Sequence, residues 1–170
     1  MDTLIIKKNK EISIEKNIGK IFKSHNIVEY KSETDNFTIW DYNKIRGYAL
    51  IYSSFNNIQL SDITITISLT KYPAKLTETL KTTQGIEIKK IESGIYYIYG
   101  DILPIQILES KSLTEEENVF MHNLRSNIGE QRLAKTLSTY AKYKSLDVRN
   151  PYIDSLVKAN KAYKGGVKYD

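Results

Sequence analysis

Two residues of opposite charge, Glu29 and Lys31, lie two positions apart in the segment HNIVEYKS. Alternating β-branched and polar residues predict a strand over 26–31, and residues two apart in a strand share one face. Such a pair suits metal-assisted hydrolysis: the carboxylate binds a hard divalent cation such as Mg²⁺, and the ammonium orients the attacking water and neutralises developing negative charge. The alternative is a solvated ion pair on the exposed face of a strand.

A metal site of this kind needs a second carboxylate, and the candidate is Asp2. It directly precedes the apolar residues of a strand predicted to begin at Thr3. If that strand pairs beside 26–31, Asp2 and Glu29 could converge on one ion. The alternative is that Asp2 is a terminal residue with no role.

Other catalytic groups are scarce. The chain has no Cys, which excludes disulfides, thiolate metal sites and cysteine nucleophiles, and its only histidines, His25 and His122, are far apart in sequence. No Gly-x-Ser-x-Gly, Gly-x-Gly-x-x-Gly or P-loop pattern occurs among its eight Gly. A serine-hydrolase elbow, a dinucleotide turn and an ATP loop therefore have no support. The 13 Tyr suit either base stacking or a core whose polar tips reach water.

Apolar periodicity predicts the elements that must position these residues. Strands are predicted over 3–8, 11–15, 26–31, 63–69, 86–91, 95–99 and 104–108, the first two forming a hairpin turned at Asn9–Lys10. Helices are predicted over 39–53, 73–82, about 115–127, about 130–146 and about 151–163. Thr38 with Asp41 and Thr114 with Glu117 are capping-box patterns, and Gly85 and Gly129 end helices. This order predicts an α/β (α+β) fold, a mixed sheet flanked by helices with a helical C-terminal extension.

Charge divides the chain of 170 residues into two predicted units, a core over 1–128 and a basic helical extension over 129–170. The net charge is +5, and from residue 131 on there are nine basic and three acidic residues. Only four basic residues are Arg, so a nucleic acid would be contacted through its phosphates rather than its base edges. The extension's candidate phosphate-binding residues include Lys135, Lys142 and Lys144. The alternative is an ordinary solvated lysine surface.

The order of several segments carries a resemblance. The sequence NIGKIF…HNIVEYKS…DYNKIRGYALIY…DITIT…YP…GIYYIYGD…PIQI resembles a family of small PD-(D/E)XK nuclease-like proteins of anaerobic Firmicutes over roughly residues 2–128. The resemblance implies a restriction-endonuclease-like core with Mg²⁺ as cofactor and Asp2, Glu29 and Lys31 as its catalytic residues. It also implies that the helix after Lys31 frames the site, with Tyr42 and Lys44 facing it.

The chain departs from that family's pattern in two ways. Residue 1 is Met rather than the Pro of the motif, and the helix and strand that usually precede the Asp are not found before it. We therefore expect either an N-terminally shortened version or missing pieces supplied from elsewhere.

Three functions stay open from the sequence. The first is a Mg²⁺-dependent nuclease-like hydrolase, and the second is a catalytically inactive binding or assembly module of the same fold whose working surface is the basic extension. The third is an oxidoreductase, because members of the resembling family are sometimes labelled 3-isopropylmalate dehydrogenase, although no residue supports it. No apolar run is long enough to span a bilayer and the N-terminus lacks signal-peptide features, so a cytoplasmic location without membrane contact is expected.

Overall fold

Six strands form one mixed sheet in this computed structural model, which describes residues 2–9, 11–33, 35–124, 128–142, 156 and 160, with only the backbone of Asp2. The strands are β1 Asp2–Lys7, β2 His25–Tyr30, β3 Ile63–Leu69, β4 Glu87–Glu92, β5 Ile95–Tyr99 and β6 Ile105–Glu109. The helices are α1 Ile39–Asn56, α2 Ala74–Gln84, α3 Glu115–Asn123 and α4 Glu130–Ala141. The predicted mixed α/β class is confirmed.

The strand order is β1-β2-β3-β6-β5-β4. Strands β2, β3 and β6 are parallel neighbours, whereas β1 runs antiparallel to β2, and β5 runs antiparallel to both β4 and β6. The carboxyl ends of β2, β3 and β6 therefore meet at one edge of the sheet. In α/β sheets this edge is where ligand sites usually form.

One face of the sheet is apolar and lies under α1 and α2. It carries the isoleucines of β3 and β6, all fully buried, against side chains of the two helices. From the sheet these are Ile63, Ile65, Ile67, Ile105 and Ile107, and from the helices Tyr42, Ile45, Ala49, Leu76 and Leu80. This core fixes the position of α1, and hence of the loop that follows β2.

The other face of the sheet is buried but largely polar. Thr64 donates to Asn26, and the Gln106 amide donates both to Thr66 and to the Ile18 carbonyl. All of β3 is buried on both faces, so its threonines lie against a second layer that includes residues 17–19 and α3. Buried polar groups are stable only when they are hydrogen-bonded, which explains these pairings.

Local sequence signals fix the ends of α1 and α2. Thr38 and Asp41 form the predicted capping box, with both reciprocal hydrogen bonds present. Gly85 ends α2 in the left-handed conformation at φ 65°, where glycine has no steric penalty. The sequence prediction of both helices is confirmed to within three residues at each end.

Three sequence predictions are wrong. Residues 11–15 are not a strand, and β1 pairs with β2 instead of forming a hairpin at Asn9. The alternation of EISIE resembles a strand, but Ile12 is exposed and no core face receives it. The Thr114 side chain makes no capping bond to the backbone, and α3 ends at Asn123 rather than near 127.

The C-terminal helices are described in part. Helix α4 packs against α3, with the Asn123 amide donating to Thr136 at 3.0 Å. Farther along, Leu156 and Asn160 are buried, and the Ile128 amide donates to Asn160. The remaining residues of the predicted 151–163 helix, and the end of the 130–146 helix beyond Lys142, lie outside the described residues.

Candidate functional site

Glu29 is a carboxylate enclosed in the apolar core. It lies on the face of β2 that carries Ile27, opposite Ile67 of β3, and its exposed fraction is 0%. One carboxylate oxygen accepts a hydrogen bond of 2.6 Å from the Thr3 hydroxyl, and the other, Oε1, has no partner among the described residues. A buried carboxylate oxygen without a partner carries a large desolvation penalty unless a proton, water or cation meets it.

Lys31 continues the path of β2 after its last residue. Its backbone N–H donates to the Ser68 carbonyl at 3.0 Å, so it keeps the strand direction and the face of Glu29. Its ammonium lies 3.3 Å from Oδ1 of Asp41 in the first turn of α1, and both side chains are mostly buried. The shared face predicted for Glu29 and Lys31 is therefore present.

Asp41 links the helix cap to this lysine. Its Oδ2 accepts from the Thr38 hydroxyl and backbone N–H, and its Oδ1 accepts from Lys31. Partial burial acts to raise the pKa of the Asp41 carboxyl, but the hydrogen bonds from Thr38 and Lys31 outweigh it and hold that pKa below its ordinary value. Asp41 thus stays ionised and fixes the direction of the Lys31 side chain.

Asp2 lies one register position away from Glu29. The backbone of Asp2 is paired with Tyr30, and Thr3 is the residue directly opposite Glu29. Adjacent residues of a strand occupy opposite faces, so this register position belongs to the face of Tyr30 and not to that of Glu29. The side chain of Asp2 is outside the described part of the chain, and the predicted convergence with Glu29 gains no support from the register. Within the described residues no group of three or more Asp, Glu or His side chains is arranged to hold a metal.

A cavity of about 650 Å³ opens at the carboxyl ends of β2 and β3, beginning one residue after Lys31. The loop from β2 to α1 forms one wall, and the loop from β3 into α2, with Lys71 and Lys75, forms the other. Thr38, which hydrogen-bonds to Asp41, lines the cavity, but Glu29 and Lys31 do not. The volume suits a nucleotide-sized ligand.

Charged residues around this edge are paired with one another. Lys111 beyond β6 forms an ion pair with Glu33, and Lys71 lies 3.9 Å from the same carboxylate. The edge of the sheet therefore presents three lysines, at 31, 71 and 111, each near an acidic partner.

The two α1 residues that the resemblance places at the site, Tyr42 and Lys44, have other partners in the structure. Lys44 is exposed, with its ammonium 5.9 Å from the Tyr48 ring. Tyr42 is buried and donates to Asp101 at 2.7 Å; burial, with this hydrogen bond adding to it, raises the pKa of the Tyr42 hydroxyl. Neither residue has a described hydrogen bond or ion pair with Glu29 or Lys31, and the expectation that they frame the site stays a prediction.

The remaining sequence candidates are separate from this site. Lys135 and Lys142 are exposed at α4, and Lys144 lies outside the described residues. His25 contacts the Tyr52 hydroxyl, and His122 contacts the Leu113 carbonyl. Both histidines therefore have structural hydrogen bonds, and neither approaches the other.

Comparison of the chain with protein-family models, with curated proteins and with solved structures finds no match. The resemblance to the PD-(D/E)XK nuclease-like family stays a prediction. Among the described helices, none combines the length and apolar character that crossing a bilayer requires.

Two contributors to the site were missed in the sequence. Thr3 covers Glu29 through a pairing between distant residues, and nothing near Thr3 in the chain indicates its partner. Asp41 was recognised only as a capping residue. Its spacing from Lys31 carries no signal, because the loop between them sets their distance.

Proposed function

We propose that this protein is a metal-dependent phosphodiester hydrolase acting on nucleic acid, with its chemistry centred on Glu29 and Lys31. One observation carries the proposal: a buried carboxylate oxygen without a described partner lies two residues before a lysine on the same face of a strand. In a purely structural ion pair both oxygens of a buried carboxylate are normally hydrogen-bonded. The Oε1 of Glu29 has no described partner and is therefore available as an oxygen ligand for a cation.

The residues of the chain have distinct tasks in this proposal. Glu29 would hold Mg²⁺, which when bound would polarise the phosphodiester and lower the pKa of a water. Asp2, the predicted second carboxylate, would share this ion only if the start of β1 leaves the register that places it on the face of Tyr30, and otherwise phosphate and water oxygens would complete the coordination. Lys31 donates hydrogen bonds to the attacking water and to the developing oxyanion. Asp41 is a positioning residue, since it contacts Lys31 and not the reacting atoms.

The substrate backbone would occupy the cavity between the β2–α1 and β3–α2 loops. The cavity starts at Ser32, next to Lys31, and Lys71 and Lys75 line its far wall. Two lysines on this wall suit contacts with the phosphates of a bound strand, because phosphate contacts position a nucleic acid without reading its sequence.

The test is calorimetric titration with Mg²⁺ and Mn²⁺, followed by cleavage assays on single-stranded and duplex DNA and RNA. We expect one site with a dissociation constant roughly in the millimolar range. Glu29→Gln keeps the acceptor for Thr3 but removes the charge, so cation affinity should fall at least tenfold. Lys31→Met should lower cleavage by roughly 10²-fold or more without abolishing cation binding.

The matched control is Glu87→Gln, the same change at an exposed position of β4 on the opposite edge of the sheet. It should behave as wild type in both assays. Absence of heat at ten millimolar Mn²⁺, or an equal response of Glu29→Gln and Glu87→Gln, would remove the hydrolase proposal.

A second candidate function is a binding module without catalysis. It is favoured by the full enclosure of Glu29 and by the closed Lys31–Asp41 pair, neither of which faces the cavity. Its working surface would be the basic extension, where Lys135 and Lys142 are exposed at α4 and Lys144 lies outside the described residues.

For this module we expect nucleic-acid affinity to fall steeply with salt. Lys135→Ala should weaken binding equally for all sequences and reduce the slope of log K against log salt by about 1. Fluorescence anisotropy with a labelled oligonucleotide at several salt concentrations measures both. A flat salt response would point instead to a protein partner.

A further inference from the structure

The outer side of α1 exposes large apolar side chains from its first turn to its last, with Lys44 among them and the polar residues Asn43 and Ser54 beside them. At 100° per residue, six positions fall within about 50° of one line on the outer side of the helix, about 40° from the line directly opposite Tyr42, Ile45 and Ala49. They are Trp40, Lys44, Gly47, Tyr48, Ile51 and Phe55, called here the outer stripe. Trp40 is 77% exposed, Phe55 85%, Ile51 56% and Tyr48 41%.

Such a stripe is unusual on the solvent side of a helix. The inner side of α1 already carries Tyr42, Ile45 and Ala49 in the core, so the helix is apolar on two opposite sides. A surface helix normally places charged residues where the outer stripe lies. With roughly 200 Å² for a complete aromatic side chain, the exposed fractions amount to roughly 500 Å² per molecule, the size of patch that usually marks an interaction site.

The outer stripe is also symmetric about its own centre. Helix α1 spans Ile39–Asn56, and its midpoint falls between Gly47 and Tyr48. Trp40 and Phe55 are equally far from this midpoint, as are Lys44 and Ile51. A two-fold axis between two antiparallel copies, level with this midpoint, would place each member of a pair opposite the other member on the second copy.

We propose that the outer stripe is a homodimer interface in which α1 packs antiparallel against α1 of a second copy. Isologous interfaces must be self-complementary in this way. Trp40 then lies against Phe55 of the second copy, Lys44 against Ile51, and Gly47 against Tyr48. The proposal uses none of the chemistry at Glu29.

The central contact is favourable because Gly47 leaves room for the Tyr48 ring. No atom lies within 4 Å of where a Cβ on Gly47 would stand. The two Lys44 residues would be offset by seven positions, about 10 Å along the axis, so they do not oppose each other. The ammonium near the Tyr48 ring lets the lysine stem cover apolar surface.

The area agrees with a pair of identical molecules. Two outer stripes bury roughly 1,000 Å² in total, which is about the lower bound of specific interfaces. A membrane surface would favour several basic residues beside the apolar side, whereas the outer stripe holds one lysine and Asp41 flanks it. A second copy is therefore the occupant that the observations favour.

The test uses the full chain in sedimentation equilibrium, with the single tryptophan, Trp40, as a second readout. We expect a monomer–dimer equilibrium and a red shift of Trp40 emission on dilution. Ile51→Lys places two lysines against each other across the axis and should weaken dimerisation at least tenfold. The double variant Lys44→Glu with Ile51→Lys restores opposite charges in the same register and should recover the dimer.

Leu50→Lys is the matched control, since Leu50 is exposed on the same helix but outside the outer stripe. It should dimerise as wild type, and circular dichroism should show all variants folded. A wild-type protein that stays monomeric at about 100 μM would overturn the proposal. The proposal would also be overturned if Ile51→Lys dimerised as tightly as wild type. It would likewise be overturned if the double variant Lys44→Glu with Ile51→Lys stayed monomeric while binding vesicles or another protein.

Discussion

A Gly94→Ala variant is expected to lose about 3 kcal/mol or more of unfolding free energy, or to fail to fold. Gly94 lies in the turn between β4 and β5 at φ 74°. A methyl group there would stand 2.6 Å from the Leu113 nitrogen and 2.7 Å from the Glu109 oxygen. The left-handed backbone costs about 1 kcal/mol for alanine, and overpacking against atoms that cannot rotate away adds about 1–3 kcal/mol.

The comparison for this variant is Gly85→Ala. Gly85 has a similar φ of 65°, but no atom lies within 4 Å of the added methyl group. It should therefore lose only the backbone contribution, about 1 kcal/mol. Urea unfolding of both variants measures the difference, and equal losses would show that the turn does not press against residues 109–113.

Asp101→Ala is expected to cost about 3 kcal/mol. The Asp101 side chain is completely buried, accepts from the Tyr42 hydroxyl at 2.7 Å, and lies 3.0 Å from Nε of Arg46. Its removal leaves the Tyr42 hydroxyl without its acceptor, and it leaves Arg46, whose side chain is one-quarter exposed, without its ion-pair partner. Unpaired buried polar groups of this kind account for large mutational losses.

Asp101→Asn removes the charge that pairs with Arg46 but keeps an oxygen that can accept the hydrogen bond from Tyr42. The amide oxygen still accepts from Tyr42, so the loss should be smaller than for alanine. Chemical unfolding of both variants, with Tyr42→Phe as a third, gives the coupling between residues 42 and 101. Additive losses for Tyr42→Phe and Asp101→Ala would contradict the described network.

Most elements of the fold were predictable because their signals are local. The Thr38–Asp41 capping box, the glycine at 85 and the alternation of 63–69 each act within a few residues of chain. The β4–β5–β6 hairpins follow from their short turns. The partner of β1 could not be decided from the sequence, because residues 11–15 alternate as well as residues 26–31 do. Which of the two segments pairs with β1 depends on which one has a face buried in the core.

The candidate site was predictable only in part. The shared face of Glu29 and Lys31 follows from the two-residue period of a strand. The burial of Glu29 and Lys31 could not be predicted in this way. The alternation of β3 shows that the sheet has two different faces, but not that other elements pack on both of them. The contact between Lys31 and Asp41 depends on how the intervening loop folds, and the residue opposite Glu29 depends on strand register, which separates Thr3 from Asp2.

Glu29 lies on the strand next to the edge strand β1, whose Thr3 covers its carboxylate. The free energy needed to expose this carboxylate to water is therefore limited to that of opening β1. Strand β1 is hydrogen-bonded along one side only, and Leu4 and Ile5 on it are exposed. Local opening of such a strand needs far less free energy than global unfolding. Amide protons of β1 should therefore exchange faster than those of β3, and the reactivity of the enclosed carboxylate would be set by this fraying equilibrium while the isoleucine core stays intact.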